Sequence, residues 1–202
     1  MKKLFSLILL LSFSIKAQDV KIGTQTWTTK NLNVTNYRNG DAIPQVQDKN
    51  AWANLTTGAW CYYENKEENG ITYGKLYNFY AVIDPRGIAP EGYHIPTKKE
   101  WNKLADYLYL DDHFSFGTKM KSTSGWQKDG NGSNTSGFDG LPGGCLTANG
   151  LFGQVGDQGS WWSSSEVTIG FGGYLSLKNY SPFAFTQDID KHFGLSVRCL
   201  RD

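Results

Sequence analysis

A chain of 202 residues with 20 basic and 19 acidic side chains has no basic surplus to draw it onto nucleic acid or an anionic bilayer. Its length suits one domain with a sizeable core. Aromatic residues at 14% and 23 glycines exclude a disordered composition and suit short strands, tight turns and large side chains packed between them.

Lys2 and Lys3 precede an apolar run over 4–15, and Ala17 ends it before Gln18-Asp19. This is the layout of a secretory signal peptide cut after Ala17, and the run is too short to span a bilayer. Residues 1–17 are expected to be removed, leaving a single domain over 18–202 that is secreted, periplasmic or held at the cell surface, with no membrane insertion. Their loss takes away Lys2, Lys3 and Lys16 and no acid, so the mature chain is slightly acidic.

Residues 20–34 read as a strand pair, with Ile22 and Trp27 on either side of a turn at Gly23-Thr24. Residues 35–58 carry few apolar anchors and read as a long irregular excursion held by Trp52. A short aromatic strand over 60–63 and a polar loop over 64–70 come next. The spacing of Leu76, Phe79, Tyr80 and Ile83 then predicts a helix over 74–83, ending before Pro85.

Within Gly92-Tyr93-His94-Ile95-Pro96-Thr97-Lys98-Lys99-Glu100-Trp101, a strand-like segment stops at a proline and a helix opens with a capping box. Thr97 can accept from the Glu100 amide while the Glu100 carboxylate reaches back to Thr97. Trp101, Leu104, Ala105 and Leu108 then recur on one face and predict a helix over 98–109. From 117 to 159 Gly, Ser, Asn and Asp dominate, and Trp126, Phe138, Leu141, Leu146, Leu151 and Phe152 are single anchors of ordered loops. Strands are expected over 161–164, 174–177 and 193–200. In the last, Phe193, Leu195, Val197 and Cys199 alternate with smaller or polar residues, so one face is expected to be buried. The outline is α+β, two helices with a twisted antiparallel sheet and long ordered loops.

The three cysteines leave one odd thiol if a disulfide forms. The preferred pair is Cys61 with Cys199, Cys145 with Cys199 is second, and three buried thiols are the alternative. No Cys-x-x-Cys spacing exists and His94, His113 and His192 are dispersed, which argues against a transition-metal site.

Trp60-Cys61-Tyr62-Tyr63, Tyr73-Gly74-Lys75-Leu76-Tyr77-Asn78-Phe79-Tyr80-Ala81-Val82, Ala89-Pro90-Glu91-Gly92-Tyr93-His94-Ile95-Pro96-Thr97, Ser133-Asn134-Thr135-Ser136-Gly137-Phe138, Leu141-Pro142-Gly143-Gly144, Trp161-Trp162-Ser163-Ser164 and Ser196-Val197-Arg198-Cys199 resemble the Fibrobacter succinogenes major paralogous domain. The likeness covers about residues 20–202, in order. That family resembles the formylglycine-generating enzyme group, so the resemblance implies a C-type lectin-like fold on an exported bacterial protein.

The oxidase chemistry of that group needs two cysteines a few residues apart near the C-terminus to hold copper. Here Cys145 and Cys199 are far apart and nothing marks either as an activated thiolate. No hydrolase motif is present, and Asp111 and Asp112 are adjacent rather than opposed across a cleft. His94, between Tyr93 and Ile95, reads as a packed, hydrogen-bonded histidine.

Calcium is the one cofactor considered, because Asp129, Asn131 and Ser133 alternate in a flexible loop. That loop is not an EF-hand, and an Asx-turn in which Asp129 and Asn131 bond their own backbone is favoured over it. Adjacent Trp161 and Trp162 point to opposite faces of a strand and read as structural. Trp126 is the better exposed aromatic.

The leading hypothesis is a non-catalytic binding or adhesion module contacting a protein or polysaccharide through the 117–159 loops, with Trp126, Asp129, Asn131 and Asn134 as candidate ligand contacts. An enzyme would instead show a deep pocket with a titratable pair, and a structural component of a surface assembly an exposed strand edge or apolar patch.

Overall fold

A computed structural model describes residues 19–111 and 113–202. The expected signal segment 1–17 lies outside the described residues, as does Asp112.

Strands β1 (Asp19–Ile22) and β2 (Gln25–Thr28) form the expected hairpin. Its tight turn closes because Gly23 takes φ +60°, which a residue without a Cβ adopts readily. In the excursion that follows, helix α1 (Lys49–Ala53) is capped by the Asp48 carboxylate, which accepts from the Asn50 and Ala51 amides, and it plants Trp52 in the core.

Strand β3 (Trp60–Cys61) leads to helix α2 (Glu67–Tyr73), strand β4 (Leu76–Tyr77) and helix α3 (Phe79–Val82). The helix predicted over 74–83 is therefore divided. Gly74, at φ +73°, ends α2; Leu76 and Tyr77 pair with β3 and with Leu195; and only the residues after the Asn78 cap turn helical. Long-range pairing has overridden a helical spacing. The loop expected over 64–70 likewise contains the start of α2.

Strand β5 (Tyr93–His94) leads through Pro96 to helix α4 (Lys98–Asp111). The capping box forms: Thr97 donates to the Glu100 carboxylate from its amide and its hydroxyl, both at 2.8 Å. Trp101, Leu104 and Leu108 are buried as expected. The same carboxylate meets His94 Nε2 at 3.0 Å, while Nδ1 meets Asp202 at 2.7 Å. Burial alone pulls the imidazole pKa down, but its bonds to Asp202 and Glu100 outweigh this and the net direction is up. The stabilisation is therefore fully present below the unfolded-state value of about 6.5 and is lost as pH rises through the higher folded value. Thermal midpoints measured from pH 6 to pH 8 are expected to fall more in the wild type than in H94Q. Parallel profiles would mean that the clamp does not form in solution.

After helix α5 (Phe116–Met120) come the hairpin β6 (Gly143–Leu146) and β7 (Phe152–Val155), then the meander β8 (Gln158–Thr168), β9 (Phe171–Lys178) and β10 (Ala184–Asp190), and last β11 (Leu200–Arg201). The sheet orders are β1-β2-β11-β5 and β10-β9-β8, with β3-β4 and β6-β7 as separate pairs, and every paired strand is antiparallel. The fold is thus mixed, with few helices and several small antiparallel sheets in place of one late sheet.

The closing segment 193–200 departs from the expected one-sided strand. Gly194 through Leu200 are all buried, Ser196 and Arg198 included. The segment threads between elements, with single bridges from Gly194 to Leu146, Leu195 to Tyr77 and Ser196 to Trp161. Where both faces are covered, alternation in the sequence no longer reports an outside. On one side of this thread Trp27 stacks on Trp101 with ring centroids 4.5 Å apart, and Phe138 stands edge-on to both.

Candidate functional site

Of the residues singled out in the 117–159 loops, a hydrogen bond joins Trp126 to Asn131, while Asn134 bonds Asp139 instead. Trp126, expected to be exposed, is 5% exposed. Its indole donates to Ser122 Oγ at 3.0 Å and Gly140 O at 3.2 Å, and its amide donates to Asn131 Oδ1 at 3.0 Å. The ring packs as the loop's anchor in the core with Met120 and Phe138, because an indole gains more from burial than from solvent. Asp129 is exposed and left-handed at φ +57°. Asn134 is tied to Asp139, accepting from its amide at 2.8 Å and donating to its carboxylate at 3.2 Å. The loop oxygens of Asn131 and Asn134 thus serve the loop's own backbone. Among the described residues, no three His, Cys, Asp or Glu side chains converge as a metal-holding group.

Cys61, Cys145 and Cys199 are all free and buried, so the expected Cys61–Cys199 bridge is not formed. Cys199 packs with Tyr77 and Val197, whereas Cys61 lies in a separate cluster with Trp52 and Leu146. Burial raises all three thiols, Cys145 to about 11 and Cys199 to about 12, which leaves no thiolate at neutral pH.

A cleft does form, one strand pair away. Register places Gln158 opposite Lys178, Ser160 opposite Ser176, and Trp162 opposite Tyr174. It also places Phe185 opposite Ser176 and Gln187 opposite Tyr174. Directly opposed residues share a face, so Gln158, Ser160, Tyr174, Lys178, Phe185 and Gln187 stand together on one side of the β8–β9–β10 sheet. Trp161, Leu175 and Leu177 cover the other side. Trp161 and Trp162 therefore point to opposite faces as expected, and both are buried, because each face carries its own core.

Hairpin β6–β7 lines this face through Cys145, Gly153 and Gln154, and with Phe193 and Leu195 it bounds an open cleft of about 420 Å³. Gln187 Oε1 accepts from Tyr174 Oη at 3.1 Å and Ser176 Oγ at 3.4 Å. Gln158 Nε2 donates to Ser160 Oγ at 2.8 Å, and the Cys145 thiol donates to Gln154 Oε1 at 3.6 Å. Gln154 itself is left-handed at φ +66°, a cost a side chain bears when its surroundings hold it in place. Burial raises the Tyr174 pKa, so its hydroxyl stays a donor. Among the described lining residues, Lys178 is the one charged group, and no carboxylate or imidazole is present.

The arrangement can recognise hydroxyls and amides through fixed donors and acceptors set beside aromatic surface. Nothing in the sequence drew attention to it, because glutamine and serine carry no ionisable signal. The alternation of Phe185, Gln187 and Ile189 is the pattern that could have exposed β10 and its inward face.

The family model described as the Fibrobacter succinogenes major domain matches residues 20–201. No curated protein and no solved structure matches the chain.

Proposed function

The chain belongs to the Fibrobacter succinogenes major domain family, and from that premise we propose that it is an exported binding module whose cleft on the β8–β9–β10 sheet holds a polysaccharide. The observation that carries this reading is the lining: the side-chain amides of Gln154, Gln158 and Gln187 and the hydroxyls of Thr147, Ser160 and Tyr174, beside the rings of Tyr174 and Phe193. Sugar hydroxyls both donate and accept, and a side-chain amide answers both needs at once. A protein ligand would call for a larger contact than this cleft offers. Hairpin β6–β7, which walls it, falls within the loop region expected to carry the contacts. The lectin-like framework and its kinship to the formylglycine-generating group are part of the proposal; the first and last strands sharing one sheet supports them.

An enzyme reading would rest on His94 and Glu100, whose pKa values move apart. Both ring nitrogens of His94 already meet carboxylates, and Thr97 holds the Glu100 carboxylate. These partners tie both groups into the fold, which favours the binding reading.

Titration calorimetry of the mature chain against a panel of neutral and acidic oligosaccharides tests the proposal. Q187L strands the Tyr174 and Ser176 hydroxyls and removes an amide from the cleft, so it is expected to weaken saccharide binding about tenfold. A panel without any binder would end the polysaccharide reading.

A further inference from the structure

We infer that the mouth of the cleft at Lys178 is a subsite for a uronate, so that the preferred ligand is an acidic polysaccharide. This rests on the polysaccharide reading above.

Lys178 closes β9 at one end of the cleft. No ion pair engages its ammonium among the described residues, and it is the one cation in the cleft lining. The nearest acid along the strands is Asp157, beside Gln158, and it is already held by Asn179 Nδ2 at 2.6 Å and by Lys128 at 3.4 Å. The positive charge of Lys178 is therefore left facing the opening.

Two aromatic rings flank it. Nζ lies 5.8 Å from the centroid of Tyr180 and 5.6 Å from that of Phe185. Tyr180 is 77% exposed and Phe185 37%, so both rings have surface to offer a ligand. A pyranose ring presents an apolar C–H face to such a ring, and a carboxylate on C5 lies at the ring's edge. Stacking on Tyr180 or Phe185 brings that carboxylate to the ammonium, where a charge-assisted hydrogen bond forms.

The mouth is also fixed in place. Lys121, buried beneath the β9–β10 turn, donates to the Lys178 carbonyl at 3.3 Å and the Ser181 carbonyl at 3.1 Å. The turn that carries Tyr180 is thus held before any ligand arrives, which lowers the ordering cost of binding.

The test titrates the mature chain with a hexameric oligogalacturonate and with its fully methyl-esterified form, the same chain without the carboxylate charges, at low and high salt. The wild type is expected to favour the uronate roughly tenfold at low salt, with the preference shrinking as salt rises. K178Q is expected to erase the preference, and Y180A to weaken both ligands. Equal affinities in the wild type, or a preference that survives K178Q, would overturn the uronate subsite while leaving the polysaccharide reading standing. If neither saccharide binds the wild type, both fall together.

Discussion

Replacing Arg198 with lysine is expected to destabilise the domain by about 3 to 5 kcal/mol, the cost of breaking up a buried, fully bonded charge. The guanidinium is completely buried. It donates to Thr28 O at 3.0 Å and Phe138 O at 2.5 Å through Nη1, and to Asn31 Oδ1 at 3.2 and 3.0 Å through Nε and Nη2. Its plane lies 4.4 Å from the Phe138 ring centroid. Burial lowers its pKa to about 9, partly offset by Asp139, so it stays charged at neutral pH without a carboxylate hydrogen-bonded to it. A lysine keeps the charge, but its donors radiate from a single nitrogen and cannot reach acceptors that the guanidinium meets from three separate nitrogens. R198M is expected to lose no more than R198K, because it also removes the charge. Urea midpoints decide the point: a lysine or a methionine variant close to the wild type would show that the group fills space rather than tying segments together.

Gly153→Trp is expected to abolish saccharide binding while leaving stability within about 1 kcal/mol. Gly153 pairs directly with Cys145, so a side chain there would stand beside a residue that lines the cleft. No atom lies within 4 Å of where its Cβ would be, and its backbone is not left-handed. An indole can therefore grow into the cavity without displacing anything at its root, and G153A supplies the control that should still bind. A tryptophan variant that binds as well as the wild type would move the ligand off this face, back towards the loops over 117–142.

How far the sequence could be read depended on whether a signal was local. The Thr97–Glu100 capping box and the Trp101, Leu104, Leu108 face lie within one helix, and they appear as expected. The hairpin at Gly23 is equally local. Leu76 and Tyr77 misled because their helical spacing was weaker than their pairing with β3 and Leu195. Trp126 misled because a polar neighbourhood in sequence surrounded a residue that folds inward against Met120 and Phe138. The cleft was illegible for a different reason. Gln158 and Gln187 meet through the register of β8, β9 and β10, and Gln154 joins them by the packing of a separate hairpin; neither is written in composition.

The closing thread of 193–200 carries a kinetic implication. Its backbone bonds reach Thr28, Leu32, Tyr77, Leu146, Ser160 and Trp162, so every earlier part of the domain waits for the same few residues. Contacts of such sequence separation slow folding, because the interior cannot close until this segment is in place.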